Sequence, residues 1–387
     1  MTAVVFWLAS FLVIYPYLVY PVLLRLLARR AEGQQPADDR EPPFVTLIVS
    51  AYNEEAVIGA KLENATALVY PAERLEILVV SDASSDQTDE IVRQAAAKDS
   101  RIRLLRQNER RGKSAGLNNA VEMAKGEVVV FSDANAMYDS NALRELTRYF
   151  ADPRVGYVVG AALYYDPNGS RAAESEGLYW KLEMALKQLE SDYDSVVGGD
   201  GAIYAARRQL FRPLQDDDIS DFVNPIQIVA AGYRGRFNRR AFCYEGAGES
   251  FSKEFGRKRR IVNRSWRAVR RYGRLLSLRR QPRFVFMLVS HKVIRWFALP
   301  LVAVAWAANA LLLGTGALYV VTGCAITGSF LLAGWGAVLD RRGRPQPRVV
   351  ATAYYFYLVN LAAVLGMWDE FRGVRHATWD HIRKQST

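Results

Sequence analysis

Apolar and polar positions are segregated along this chain. Residues 3–24 carry no polar group except Ser10 and the tyrosine hydroxyls, and about twenty apolar residues are what a helix needs to cross a bilayer. Arg25, Arg29 and Arg30 follow at once. A cleaved signal peptide would carry its charge ahead of the apolar run. The pattern therefore predicts a retained anchor over 1–30, with the N-terminus outside and residue 30 inside. Residues 31–43 are polar and hold Pro36, Pro42 and Pro43, which predicts a linker. From Phe44 to about residue 255, short apolar runs alternate with helical periods. Strands are expected over 44–52, 75–82, 101–107 and 127–134, and helices over 54–67, 85–99 and 113–126. That alternation predicts an α/β fold with a doubly wound, mostly parallel sheet. Three more apolar runs, near 293–313, 316–339 and 349–368, predict three further spans within 285–368. Gly314–Thr315–Gly316 suits a short outside turn, and the basic segment 340–348 suits the inside. The tail, 369–387, lies outside if the last run spans, or at the inner interface if that run is re-entrant.

Charge sharpens the picture in one place. Lysine plus arginine is 51 against 40 acids, a net of +11, and twelve positive side chains fall between Arg257 and Arg283 with no acid among them. Val262, Trp266, Val269 and Leu276 recur there at helical spacing. This predicts a basic amphipathic helix over 256–284 lying on anionic membrane lipid rather than on nucleic acid. The composition, 50% hydrophobic and 24% charged, excludes a disordered chain. Two cysteines, Cys243 in the polar region and Cys324 in an apolar run, exclude a disulfide-stapled module and predict no bridge. The apolar runs are read as lacking the internal charges that mark an ion pathway, which speaks against a channel or transporter.

In an open parallel sheet, ligands sit at the carboxyl ends of the strands. The polar clusters fall there: Asn53 and Glu54 after the first strand, Asp82, Ser84, Ser85 and Asp86 after the second, Asp133 and Asn135 after the fourth. A carboxylate such as Asp133 suits a divalent cation shared with phosphate oxygens, or equally an Asx turn that ends the strand. Asp86 suits a helix N-cap, which leaves Asp82 for the ligand crevice. Lys113 precedes a helix N-terminus, a place that suits phosphate, although the P-loop spacing is absent. Asp216, Asp217, Asp218 and Asp221 form a further acidic set, one of which could serve as a base.

Five motifs in order, VSAYNEE, VVSDASSD, RRGKSAGLNNA, FSDAN and GGDGAIYAARR, give the chain a resemblance to the family-2 inverting glycosyltransferases over about residues 44–262. The terminal spans and the basic helix make it similar to the membrane-embedded branch, which includes hyaluronan, cellulose and poly-N-acetylglucosamine synthases. The resemblance implies a GT-A fold over 44–255 on the cytoplasmic side of the inner or plasma membrane. It implies Mg2+ or Mn2+ as cofactor and a nucleotide-sugar donor, with UDP the commonest nucleotide of that branch. A glycan or lipid-linked molecule would be the acceptor.

The resemblance also implies roles. Asn53 and Glu54 would lie beside the nucleoside, Asp82 would bind base or ribose, and Lys113 would sit near the diphosphate. Asp133 matches the first aspartate of the metal-binding DxD, and the neutral Asn135 stands at the second. The family's Thr-Glu-Asp base motif becomes Ile219-Ser220-Asp221, with ten residues between Asp221 and Gly232-Tyr233-Arg234. That favours Asp221 over Asp218 as general base. The segment from Gly198 to Arg207, with Gly199 and Asp200, resembles the acceptor-side loop. The Gln-x-x-Arg-Trp motif is reduced to Arg260 within Arg257–Ile261, with Arg264 and Trp266 as a shifted match. Its loss, with only four expected spans, tilts the reading toward single transfer to a lipid-linked acceptor, or toward a partner-assisted polymerase, over a processive synthase that secretes through its own bundle. A non-catalytic nucleotide-sugar binder is the third reading, and Asn135 and Ser220 would be its signature.

Overall fold

The structure, a computed structural model, describes residues 1–28, 41–165, 171–246 and 250–375. Most of the expected linker, Arg29 and Arg30, and the tail beyond residue 375 lie outside the described residues.

Among the described residues, eight strands form one sheet: β1 (Val45–Ala51), β2 (Leu75–Ser81), β3 (Ile102–Arg106), β4 (Val128–Asp133), β5 (Met137–Tyr138), β6 (Val155–Tyr165), β7 (Tyr204–Arg207) and β8 (Arg234–Gly246). Their order is β3-β2-β1-β4-β7-β6-β8-β5. The first four are the strands expected from the sequence, all parallel. The second half is mixed, because β7 runs antiparallel to β4 and β6, and β5 antiparallel to β8. Side chains alternate across β1 as strand geometry requires. Val45, Leu47 and Val49 face a core built with Ile58, Leu62, Leu143 and Leu146. Ile48 faces the opposite core with Leu117, Phe131 and Tyr204, and that core runs on into Tyr20, Phe284, Met287 and Trp296. One face of the sheet therefore packs directly on the apolar helices.

Among the described residues, three helices are long and apolar enough to cross a membrane: Thr2–Ala28, Ala317–Arg341 and Arg348–Phe371. The first contains a widened turn over Tyr15–Val19, where Pro16 removes a backbone donor. The run expected as a straight span near 293–313 is instead two helices, Pro282–Trp296 and Ala298–Ala310, bent by 63°. The bent pair also corrects the expectation of uncharged spans. His291, Lys292 and Arg295 lie on it and face Glu183 and Glu190 of a long helix, Arg171–Tyr193.

The basic helix is real but shorter than expected, Phe251–Tyr272, with Ser250 capping it by accepting from the Lys253 amide. It lies against the last apolar helix so closely that a Cβ at Gly366 would sit 2.5 Å from the Arg259 carbonyl oxygen. Several of its arginines turn inward. Arg259 grips Asp369 through two bonds of 2.6 and 2.8 Å, and Arg267 reaches Glu370 at 2.6 Å and Asp217 at 3.1 Å. Exposed Arg274, Arg279, Arg280 and Arg283, with exposed Leu275 and Leu278 between them, follow the helix instead of lying on it. Cys243 and Cys324 are both free, as expected.

Candidate active site

The carboxyl ends of β1, β2 and β4 carry the polar groups. Asn53, just past β1, adopts a left-handed backbone with φ of 50°, which a short polar side chain tolerates. Its Oδ1 accepts from the Ser85 amide at 2.7 Å, and its own amide donates to Ser84 Oγ at 3.1 Å. The Glu54 amide donates to Thr88 Oγ1 at 2.7 Å. Asp86 accepts from the Thr88 and Glu55 amides, which makes it a holder of these loops. Above them the Arg110 guanidinium stacks 4.0 Å over the Tyr52 ring.

Asp82 is almost fully buried. Its carboxylate accepts from Gln107 Nε2 at 2.7 Å, from the Arg111 amide at 2.9 Å and from the Gly112 amide at 2.9 Å. Gly112 has φ of 87°, a conformation that suits glycine. The Asp82 carboxylate thereby fixes the turn that delivers Lys113 to the first position of the helix Lys113–Met123. The structure thus gives Asp82 a loop-organising set of bonds.

Lys113 ion-pairs with Asp133 and donates to the Gly201 carbonyl at 3.4 Å. A Cβ on Gly201 would lie 3.5 Å from both Asp221 Oδ2 and Lys113 Nζ, so the ammonium and the Asp221 carboxylate border one space. Asp221 opens the helix Ser220–Ala230, and its Oδ1 is buried without a hydrogen-bond partner. Its backbone carbonyl accepts from the Gly199 amide. Burial pushes the Asp221 carboxyl above the usual carboxylate range, Lys113 opposes that, and Asp200 and Asp133 add to it.

Asp218 is held differently. It accepts from Arg271 at 2.8 Å, from the Gln215 amide at 2.9 Å and from the Tyr272 hydroxyl. Both of its carboxylate oxygens are thus engaged by the protein itself.

Arg264 is also brought in. It donates to the Asp217 carbonyl at 3.2 Å and to the Asp218 carbonyl. Burial, then Arg260, lowers its guanidinium to about 10, so it remains cationic at neutral pH. Arg257 pairs with Glu254 at 2.7 Å. Trp266 stands in an aromatic cluster with Trp296 and Phe297, centroids 5.9 and 5.8 Å away. Asp200 is buried and faces Lys187 at 3.5 Å.

Two residues in this neighbourhood escaped the sequence reading. Glu245, at the end of β8, has its carboxyl pushed up to about 8 by burial and by Asp133 and Asp200. Lys61 is fully buried, donates to the Ala136 carbonyl at 2.5 Å and lies 4.1 Å over the Tyr138 ring; burial lowers its ammonium to about 7. Its signal was available, since Lys61 stands at an apolar position of helix Ile58–Thr66 beside Ile58, Leu62 and Ala65. Among the described residues no three carboxylate, histidine or thiol groups converge on one metal position. Asp133 ends β4 and Asn135 follows two residues on, a partial oxygen set by residue type. It fits a hard cation of the kind that substrate phosphates complete, and the mutual repulsion of Asp133, Asp200 and Glu245 is what such a cation would relieve.

Known proteins bear on this site. The family model described as Glycosyl transferase family 2 matches residues 46–214. A relative, the beta-monoglucosyldiacylglycerol synthase of Trichormus variabilis, is 35% identical over 167 residues, 42% of this chain and 34% of its own length. Glycosyltransferase AglE of Haloferax volcanii is 30% identical over 142 residues, 37% of this chain and 47% of its own. The poly-beta-1,6-N-acetyl-D-glucosamine synthase of Staphylococcus aureus is 33% identical over 117 residues, 30% of this chain and 28% of its own. The matched part thus spans about a third to a half of these relatives. A solved structure, the mannosyltransferase PcManGT from Pyrobaculum calidifontis in complex with GDP-Man and Mn2+, shares the fold. Its TM-score is 0.71 over 96% of this chain and 100% of its own, at 24% identity.

Proposed function

We propose that this chain carries a family-2 glycosyltransferase domain, a reading supported by the family match over residues 46–214 and the shared GT-A fold, and that it moves a sugar from a nucleotide-sugar donor to a lipid-linked acceptor at the membrane, with inversion. The observation that carries the reading is the juxtaposition of an unpartnered, buried Asp221 oxygen with the Lys113 ammonium across Gly201. The base and the diphosphate cation then flank one reaction space.

Asp221 takes the proton from the acceptor hydroxyl as that oxygen attacks the anomeric carbon, and the bond to the diphosphate breaks on the opposite side. Its raised carboxyl makes it a stronger base than an exposed aspartate, once ionised. Lys113 stabilises the charge that grows on the departing diphosphate, with Arg264 behind the base loop. Asn53, Glu54 and Asp82 shape the nucleoside end, and Gly199 and Asp200 the acceptor end. A divalent cation, Mg2+ or Mn2+, held by Asp133 and Asn135 would supply Lewis-acid neutralisation of the diphosphate. The apolar helices support a lipid-borne acceptor, because they bring the domain to the bilayer.

The test is a donor screen on the detergent-solubilised full chain with Mn2+ or Mg2+ and membrane lipid, reading nucleoside diphosphate release from UDP-sugars and GDP-mannose. Release from one donor and a product one sugar longer than the lipid is expected. Failure of every nucleotide sugar to bind would overturn the reading, and a long polymer product would overturn single transfer.

A further inference from the structure

The long helix Arg171–Tyr193 carries a charged stripe on its buried face. Glu183, Lys187 and Glu190 are spaced for one side of a helix, and they are only 3%, 4% and 0% exposed. Glu183 and Glu190 share His291, and Lys187 between them faces Asp200. Glu183 faces Lys292 at 3.1 Å, Arg295, and His291 Nε2 at 3.1 Å, all on the bent helix pair. Burial works to raise its carboxyl, but Lys292, His291 and Arg295 beside it outweigh burial and hold it well below the usual range. Lys187 faces Asp200 at 3.5 Å. Glu190 Oε1 accepts from the Tyr20 hydroxyl at 2.8 Å and meets His291 Nδ1 at 2.6 Å, while its Oε2 accepts from the Val197 amide at 2.9 Å. His291 is itself fully buried, with one ring nitrogen toward each glutamate.

Ionised groups are seldom buried in such number without a use, since each must be compensated by partners in place. Here the compensation runs in one direction. Tyr20 belongs to the first apolar helix and His291 to the bent pair, so Glu190 joins two membrane-side elements to Val197. Two residues on, the Gly199 amide bonds the Asp221 carbonyl. We propose that His291, through Glu190, is a positioning residue that sets the segment 196–200, and with it Asp221, from the membrane side. The packing of the apolar helices thereby sets the alignment of the base. This rests on the reading of Asp221 as general base.

Two substitutions test it in the full chain. His291→Gln keeps a side chain that can serve one glutamate at a time. Tyr20→Phe removes one hydroxyl and leaves the ring packed. The first readout needs no activity: amide hydrogen exchange over 196–201, with β1 and β2 as the internal reference. Exchange there should rise about fivefold or more in both variants, the worth of roughly one hydrogen bond, with β1 and β2 unchanged. The second is kinetic. Turnover should fall roughly tenfold while the dissociation constant of UDP or GDP with Mn2+ stays within twofold of the parent. Unchanged exchange over 196–201 would overturn the proposal, as would a uniform rise in exchange across the sheet, which marks a merely structural role. A parent that turns over no donor, with exchange behaving as expected, would place the fault in the proposed function instead. An active parent with undisturbed variants would place it in the coupling.

Discussion

At the scale of single residues, burial determines the acid–base chemistry. Asp221 has a carboxyl held above the ordinary range, so turnover should rise with pH through a midpoint higher than that of an exposed aspartate. Asp221→Asn should lower turnover by about 10²–10⁴-fold and leave nucleotide binding intact, as loss of a general base does. Persistence of transfer in that variant would remove Asp221 from the mechanism. Glu245 makes a separate prediction about stability. Its folded-state carboxyl is raised from 4.5 to about 8. Between those values the folded protein keeps a proton that the unfolded chain has released, so stability falls as pH rises across that window. Glu245→Gln should therefore raise the melting temperature of the ligand-free protein, and by more at pH 8 than at pH 5. The polar groups after β1, β2 and β4 were legible because they follow apolar strands whose ends define the crevice. Glu245 was not, because it ends a long strand, β8, in the mixed half of the sheet, where no alternation of strands and helices marks the crevice.

At the scale of elements, the four parallel strands were readable because each is a short, mostly apolar run between helical periods. The mixed half was not, since β5 has two residues and β7 four. The helix Arg171–Tyr193 escaped for a physical reason: its core-facing positions include Glu183, Lys187 and Glu190, so apolar periodicity cannot reveal it. The same logic corrects the basic helix Phe251–Tyr272. Its charges suggested lipid phosphates as partners, yet Arg259, Arg267 and Arg271 bond carboxylates of the protein itself. Arg267 is almost fully buried between Asp217 and Glu370. Arg267→Ala leaves both acids without that partner and should cost about 3–5 kcal/mol, because removing one member of a buried set strands the others. Thermal unfolding of the solubilised chain measures it. A change below 1 kcal/mol would mean water or Arg271 replaces the lost guanidinium.

At the scale of the whole molecule, the sequence suggested separable parts: an anchor, a catalytic domain, an interfacial helix and a bundle. The structure instead joins them across one face of the sheet, where Tyr20, Phe284, Met287 and Trp296 complete a core begun by Ile48 and Phe131. A chain truncated after residue 250 would expose this core face and lose the arginines that neutralise Asp217 and Asp218. It should aggregate, or bind nucleotide without turnover, which size-exclusion chromatography and a binding isotherm would report. The clasp of Arg259 on Asp369, 110 residues further along the chain, has a consequence for inheritance and for engineering. The last apolar helix and the helix that carries the clasp cannot diverge independently. A chimaera that borrows the catalytic half from one protein and the closing helix from another would inherit a lock without its key. The unit that recombination can exchange intact is the whole span from Phe251 to Phe371.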